Sequence, residues 1–175
     1  MFGQSDVRPS DIWLTFKLST NFCESWVVMP KFSRESSQNL STCHVDLQEI
    51  FSEVIKSFDC KIVCGWRGPT EQGAAFAEGA SKLKWPLSKH NHQEKNDAGE
   101  LVPMSLAVDA YPFPINFQDI HRFYYFAGFV VGVADQLRSY GLISRGVRWG
   151  GDWNSDTEVK DNKFNDLCHF ELIED

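Results

Sequence analysis

Two histidines and two aspartates in the second half of this chain could together carry out hydrolytic chemistry. They are His90, Asp109, Asp166 and His169. Two imidazoles and a carboxylate suit Zn²⁺, and a catalytic zinc site combines three protein ligands with an open position for water. Asp166 lies three residues before His169, where its carboxylate could serve as a general base. These residue types predict a zinc hydrolase.

The last of these histidines belongs to a short apolar segment that is typical of a β-strand. On a strand, His169 and Glu171 would share one face, and Phe170 and Leu172 would point into the core on the other. Asp166 would need a turn between itself and His169 for both side chains to reach one metal ion. The sequence therefore predicts a strand that delivers one ligand, preceded by a turn that delivers a base.

Four motifs, taken in order, resemble the M15 family of zinc peptidases. They are Ser88-x-His90, Ala107-x-Asp109, Gly150-Gly151-Asp152-Trp153 and Asp166-x-x-His169-x-Glu171-Leu172. The family includes phage L-alanyl-D-glutamate endolysins and bacterial D-alanyl-D-alanine peptidases, and the likeness is greatest to the single-domain phage endolysins. It covers roughly residues 39–175. The resemblance implies an α+β fold of the D-Ala-D-Ala peptidase and hedgehog-like type, with a small mixed or antiparallel sheet packed against helices.

The resemblance also implies a role for each matching residue. His90, Asp109 and His169 would bind one zinc ion per chain, and Asp166 would take a proton from the attacking water and pass it to the leaving amine. Arg67, in Gly65-Trp66-Arg67, would stabilise the oxyanion of the tetrahedral intermediate. A further group would surround the reacting atoms or line the pocket: Glu171, Asp152, Trp149 and Trp153.

The spacing of the first two candidate ligands departs from the family pattern, His-x-x-Gly-x-Ala-x-Asp. Here 18 residues separate His90 from Asp109, and Ser105 stands where the family has glycine. We interpret the polar residues 91–104 as a mobile loop inserted between the ligands. Closing a longer loop adds little free-energy cost, because the entropy penalty grows only logarithmically with length. His92, two residues after His90, is an alternative ligand in its place.

The apolar periodicity predicts the elements that position these residues. We predict helices over 45–58, 71–80 and 117–140, and strands over 12–18, 25–29, 61–64, 106–110 and 168–173. Thr70 is expected to cap the second helix, Asn116 and Asp119 lie at capping positions of the third, and Gly141 ends it. The serine-rich residues 33–43 are interpreted as a loop. Helices mixed with short strands, without regular alternation, indicate an α+β fold.

Composition excludes several classes of protein. The net charge of −7 disfavours nucleic-acid binding, which requires clustered lysine and arginine. Five cysteines cannot form a complete disulfide framework, so free thiols are expected. The most apolar stretch, residues 123–133, is too short to span a bilayer. We expect one peptidase domain over 1–175, monomeric, with residues 1–38 forming an N-terminal extension of unassigned role.

The N-terminal residues lack the basic segment and apolar core of a secretory signal. We therefore expect synthesis in the host cytoplasm and action on the cell wall once the membrane has been permeabilised. The expected partner is the peptidoglycan stem peptide, with no nucleic acid and no membrane insertion.

The leading functional hypothesis is a phage endolysin that cuts the stem peptide between L-Ala and D-Glu with the help of zinc. One alternative is a D-Ala-D-Ala carboxypeptidase or dipeptidase, and another is a non-catalytic cell-wall-binding or virion protein on the same fold. A third is a structural zinc site built from Cys60, Cys64, His44 or Cys168. Cys168 and His169 do not suit a nucleophile and its base, because adjacent strand residues point to opposite faces.

Overall fold

The structure is a computed structural model that describes residues 30–174. The helices are α1 (Arg34–Leu40), α2 (Val45–Val54), α3 (Pro69–Ala77) and α4 (Ile120–Ser139), with one 3₁₀ turn at Lys89–Asn91. The strands are β1 (Cys60–Cys64), β2 (Gln93–Lys95), β3 (Leu101–Pro103), β4 (Ala107–Pro112), β5 (Gly146–Trp149) and β6 (His169–Ile173). Within this described range, no helix combines the length and apolar content needed to cross a membrane.

A four-stranded antiparallel sheet with the order β1-β4-β6-β5 organises the molecule. Since β4 lies between β1 and β6, its residues face partners on both sides. Asp109 lies opposite Cys64 of β1 and opposite His169 of β6. The register of the sheet therefore brings two residues that are 60 positions apart in sequence into direct contact.

The core lies between this sheet and helices α2 and α4. Phe170 of β6 is fully buried and meets the rings of Phe51 and Phe126 edge-on, with both centroid distances 5.8 Å. Leu172 is 2% exposed and joins the same core. Burial of each large apolar side chain stabilises the fold by about 1.5–3 kcal/mol. The alternation along β6 thus fixes which face His169 and Glu171 occupy.

The predicted α+β class is confirmed, and most of the predicted elements exist. The periodicity over 45–58 corresponds to α2, and the predicted strands over 61–64, 106–110 and 168–173 correspond to β1, β4 and β6. Asp119 is the N-cap of α4, and Gly141 follows its end with φ of +69°, a conformation that favours glycine. The strands predicted over 12–18 and 25–29 lie outside the described residues.

Two local predictions were wrong. Residues 33–43 are not a loop, because Ser33 caps α1 and accepts a hydrogen bond from the backbone N–H of Ser36. Gly68, and not Thr70, precedes the first turn of α3, because Pro69 occupies the first helical position. The helix predicted over 117–140 corresponds to α4, which packs one face on the core, while Tyr125 on its outer face is 71% exposed.

The segment 91–104 is also more ordered than predicted. It contains β2 and β3, which pair with each other in antiparallel register. The two ends of this hairpin lie side by side, because Met104 donates to the carbonyl of His92 and Leu106 to that of Lys89. The inserted hairpin therefore begins and ends at neighbouring positions in the fold. The β5 strand has no counterpart among the predicted elements.

Candidate active site

Three side-chain atoms from distant parts of the sequence converge at one edge of the sheet. The Nε2 atom of His90 lies 3.3 Å from Nδ1 of His169 and 3.3 Å from Oδ1 of Asp109. The same Oδ1 atom lies 3.1 Å from Nδ1 of His169. His90 is 2% exposed and His169 9% exposed. The three residues predicted to bind zinc thus form a compact, largely buried triangle of donor atoms.

Local structure fixes the first of these ligands. Ser88 caps the 3₁₀ turn that carries His90, and Asn91 completes a reciprocal capping pair with it. The Nδ1 atom of His90 lies 2.7 Å from the carbonyl oxygen of Gly65, so Nδ1 carries the N–H and Nε2 is the nitrogen that can bind a metal ion once it has lost its proton. Gly65 must be glycine, since a Cβ atom would come within 2.2 Å of the carbonyl oxygen of Asn39.

The donor set fits a zinc ion. Zinc–ligand bonds of about 2.0–2.1 Å in a tetrahedral site separate neighbouring ligand atoms by about 3.3–3.4 Å. The observed separations of 3.1–3.3 Å are close to that value. Both imidazoles use their other ring nitrogen for a hydrogen bond to the protein, an arrangement typical of zinc-ligating histidines.

Cys64 forms a second candidate metal group with His90 and Asp109, in which the ligand atoms lie within 4.8 Å of one another. Its Sγ atom, however, lies 3.8 Å from Nδ1 of His90, the nitrogen that the Gly65 carbonyl already occupies. His169, by contrast, places Nδ1 3.3 Å from Nε2 of His90 and 3.1 Å from Oδ1 of Asp109. We therefore favour His169 over Cys64 as the third ligand.

Burial and mutual attraction shape the charges of the triangle. Burial acts to lower the pKa of His90, but the carboxylate of Asp109 outweighs it and raises that pKa to about 10. For Asp109, burial acts to raise the pKa, and the neighbouring imidazoles hold it well below its ordinary value. Asp109 is therefore ionised, and a cation that binds here must displace a proton from imidazole.

Glu171 holds the outer nitrogen of His169. Its Oε2 atom lies 3.2 Å from Nε2 of His169, and Oε1 accepts a hydrogen bond of 3.1 Å from Nε of Arg148. Lys89 adds an ion pair at 3.6 Å. Burial acts to raise the pKa of Glu171, but the hydrogen bonds from His169 and Arg148 lower it to about 2. An ionised Glu171 thus orients the ring so that Nδ1 faces the triangle.

Arg67 contacts the triangle through the carboxylate of Asp109. Its Nη2 atom lies 3.3 Å from Oδ2 of Asp109, the oxygen that faces away from the histidines. Its Nη1 atom donates to Oε1 of Gln72 over 3.3 Å. The guanidinium lies beside the candidate metal ligands and lines the cavity next to them. Its predicted oxyanion role stays a prediction.

Asp166 occupies the turn that the sequence required before β6. Its carbonyl accepts a hydrogen bond of 3.0 Å from the backbone N–H of His169, and its own N–H donates to Gly150 over 2.8 Å. Its carboxylate accepts a hydrogen bond from the Cys168 thiol, with 3.2 Å between Oδ1 and Sγ. Asp166 lines the same cavity as the triangle, and its predicted role as general base stays a prediction.

A cavity of about 600 Å³ opens onto the triangle. Trp153 forms part of its wall, with its ring stacked against Phe164 at 6.2 Å and tilted over His169 at 5.6 Å. The residues discussed above that line it are Arg67, Lys89, His90, Asp109, Arg148, Trp153, Phe164, Asp166, Cys168, His169 and Glu171. One molecule bound in the cavity would therefore contact the candidate metal ligands, the candidate base Asp166 and Arg67, the candidate for stabilising an oxyanion.

The other predicted site residues lie apart from this cavity. Trp149 belongs to the core, where its indole donates to the carbonyl of Leu167. Asp152 accepts backbone hydrogen bonds from residues 156 and 157 and organises an exposed turn. His92 pairs with Glu94 at 3.3 Å, away from the triangle, so the geometry favours His90 as the ligand.

Sequence reasoning assigned no role to Arg148, Lys89 or Gln72. Arg148 lies two residues before the Gly-Gly-Asp-Trp motif, and nothing in that motif indicates its pairing with Glu171. Lys89 lies beside His90 in the Ser-Lys-His motif and carries no distinguishing signal. Gln72 is an uncharged residue within a helix, and nothing in its sequence context marks it.

Comparison with known proteins gives one family and a shared fold. The family described as phage L-alanyl-D-glutamate peptidase matches residues 28–173. Six solved chains match, among them the crystal structure of the Serratia marcescens L-Ala D-Glu endopeptidase ChiX. That structure is 20% identical, with a TM-score of 0.57 over 85% of this chain and 94% of its own. A comparison with curated protein sequences gives no match.

Proposed function

Because the chain belongs to the phage L-alanyl-D-glutamate peptidase family, we propose that it hydrolyses the L-Ala–D-Glu bond of the peptidoglycan stem peptide. We propose further that one zinc ion, bound by His90, Asp109 and His169, is required. The observation that supports this most strongly is the triangle of donor atoms with 3.1–3.3 Å edges at the base of the cavity. Two imidazoles and one carboxylate leave a fourth position of a tetrahedral site open to solvent.

Bound zinc would supply a Lewis acid that polarises the scissile carbonyl and makes water more acidic near neutral pH. The protein side chains supply the proton transfer. Asp166 takes the proton of the attacking water and passes it to the nitrogen of D-Glu as the peptide bond breaks. Its position on the turn before His169 keeps the carboxylate in the same cavity as the triangle.

Arg67 is proposed to stabilise the negative charge that develops on the carbonyl oxygen. A guanidinium stays protonated even when partly desolvated, and it offers several donors in a fixed plane. Its hydrogen bonds to Asp109 and Gln72 hold that plane before substrate arrives, so little reorganisation is needed during the reaction.

The cavity also suits an acidic peptide. Four cationic side chains line it: Arg67, Lys82, Lys89 and Arg148. The D-Glu residue of the substrate carries a carboxylate next to the scissile nitrogen, and such a group is attracted to this wall. The aromatic pair of Trp153 and Phe164 offers a flat surface for the peptide backbone.

The family also supports the proposed setting of the reaction, which is the cell wall of a phage host. We propose that the enzyme is made in the host cytoplasm and reaches peptidoglycan after the membrane has been permeabilised. The net charge of −7 gives no electrostatic attraction to an anionic wall, so the substrate cavity must supply the specificity.

The test is analysis of the products released from purified peptidoglycan. New N-terminal D-Glu supports the proposal, whereas free D-Ala as the product would contradict it and indicate D-Ala-D-Ala hydrolysis. Asp166→Ala should abolish release while the protein stays folded. Asp97→Ala, at an exposed turn of the β2–β3 hairpin, is the matched control and should leave release unchanged.

A further inference from the structure

We propose that Gln72 is a positioning residue that links Arg67 to the wall of the cavity formed by residues 80–83. This inference rests on the proposed function, in which Arg67 acts on the substrate. Gln72 lies on α3 and is completely buried, with 0% exposure. A buried amide needs partners for both of its ends, and the identity of these partners indicates what it does.

The oxygen of the Gln72 amide faces the reaction centre. Oε1 accepts hydrogen bonds from Nη1 of Arg67 over 3.3 Å and from Nδ2 of Asn91 over 3.1 Å. The Asn91 amide also donates to the backbone carbonyl of Arg67 over 2.8 Å. Asn91 directly follows the candidate ligand His90. The Oε1 atom of Gln72 is therefore hydrogen-bonded both to Arg67 and to the turn that carries His90.

The nitrogen of the same amide faces the cavity wall. Nε2 donates to Oγ of Ser81 over 2.9 Å and to the backbone carbonyl of Leu83. Both residues line the cavity, with Lys82 between them. Their exposed segment has no helix or strand assignment, so these side-chain hydrogen bonds have a large part in fixing its path.

All four hydrogen-bonding positions of the amide are therefore in use, two toward Arg67 and Asn91 and two toward the wall. Replacing Gln72 by an apolar residue would remove one acceptor from the largely buried Arg67 guanidinium and one donor from the Leu83 carbonyl. Nη2 of Arg67 would retain its contacts with Asp109 and Cys64. Nη1, at the other end of the guanidinium plane, would lose its hydrogen bond to Gln72. The position of Arg67 should affect kcat, and the position of the wall should affect KM.

Two substitutions separate these effects. Gln72→Met has a similar volume and removes both sets of hydrogen bonds. Gln72→Glu keeps an oxygen that can accept from Arg67 and Asn91, but it cannot donate to Leu83. On a soluble stem peptide containing the L-Ala–D-Glu bond, we expect Gln72→Met to lower kcat by about 10–100-fold and to raise KM. Gln72→Glu should raise KM with kcat within about threefold of wild type.

A double mutant tests the link to Arg67 directly. If Gln72 affects kcat only through Arg67, Gln72→Met should lower kcat in wild type and leave it nearly unchanged in an Arg67→Ala background. Ser81→Ala, which removes one wall partner, should raise KM without changing kcat. If Gln72→Met does not fold, Gln72→Glu and Ser81→Ala still decide the matter. A purely structural role predicts an unchanged KM in both variants, whereas the proposed positioning role predicts a raised KM in both.

Trypsin cleavage after Lys82 gives a readout that is independent of activity. Loss of the hydrogen bonds to Ser81 and Leu83 should speed cleavage there in Gln72→Met and Gln72→Glu, relative to cleavage after the exposed Lys56. Unchanged kcat, KM and cleavage in both Gln72 variants would overturn the inference. Absence of any activity in the wild type would instead overturn the proposed function, so the two failures are distinguishable.

Discussion

Nε2 of His169 lies 3.2 Å from Oε2 of Glu171, and this contact turns the opposite nitrogen of the ring toward Asp109 and His90. The two residues are neighbours on one face of β6, where Arg148 and Lys89 keep the carboxylate ionised. A carboxylate behind a ligating histidine fixes its tautomer and raises its basicity. Glu171 should therefore govern metal affinity without touching the metal.

Replacing Glu171 by glutamine should weaken zinc binding by about 10–100-fold, because an amide orients the imidazole less firmly and carries no charge. The measurement is a zinc titration against a competing chelator. Glu100→Gln, at an exposed position of the hairpin, is the control and should bind zinc like the wild type. Equal affinity in Glu171→Gln and wild type would show that this contact is irrelevant to the metal.

Gly150 determines where Asp166 lies. A Cβ atom on Gly150 would come within 2.4 Å of the Asp166 carbonyl oxygen, so Gly150→Ala must push the turn away. We expect kcat to fall by about 100-fold, because a shift of about 1 Å in a reacting group has that effect. Zinc content should stay unchanged, since Asp166 is not among the proposed ligands.

The control for this substitution is Gly132→Ala, in α4, where an added Cβ meets no atom within 4 Å. It should keep full activity and stabilise the protein by about 0.5–1 kcal/mol, because alanine favours the helix. Wild-type kcat in Gly150→Ala, measured on the same soluble peptide, would mean that the position of Asp166 does not matter.

Zinc affinity should rise with pH. Asp109 raises the pKa of His90 to about 10, so this imidazole carries a proton at neutral pH that zinc must displace. The pKa of His169 is also raised, against the effect of burial, by its hydrogen bonds to Asp109 and Glu171. Each displaced proton makes binding about tenfold tighter per pH unit.

Calorimetric titration between pH 6 and 8, in buffers of different ionisation enthalpy, counts the protons released on binding. We expect between about one and two protons and a matching pH dependence of the affinity. Binding that releases no proton and does not depend on pH would contradict the proposed charge state of the triangle.

The β2–β3 hairpin should be dispensable for folding and for metal binding. Within residues 30–174 its strands pair only with each other, and its ends are joined by the backbone hydrogen bonds of Met104 and Leu106. Replacing residues 94–102 by two glycines should change the melting temperature by less than about 2–4 °C, which corresponds to about 1 kcal/mol for a chain of 175 residues. Loss of zinc binding in this variant, measured by metal analysis, would show that the insertion forms part of the site.

The sequence predicted which side chains come together better than it predicted their surroundings. His90, Asp109 and His169 carry motif signals, and the alternation around Phe170 placed His169 and Glu171 on one face of β6. The register that brings Asp109 opposite His169 depends on pairing between distant strands. A pattern within one segment contains no information about that pairing.

Predictions from local composition were wrong where tertiary contacts determine the structure. The serine-rich stretch forms α1 because Ser33 caps it and Ser36 binds the backbone of Ile62 in β1. Trp149 and Trp153 lie in one motif, yet one packs into the core and the other lines the cavity. Gln72 could not have been identified from sequence, because its importance comes only from the four partners around it.

The zinc content per chain decides whether His90, Asp109 and His169 form the metal site. Purified wild-type protein and the variants His90→Ala and His92→Ala would be loaded with zinc, desalted and analysed by mass spectrometry under non-denaturing conditions. We expect about one zinc ion in the wild type and in His92→Ala, and almost none in His90→Ala. Retention of zinc by a folded His90→Ala variant, or its loss from His92→Ala, would contradict the assignment of the triangle as the metal site.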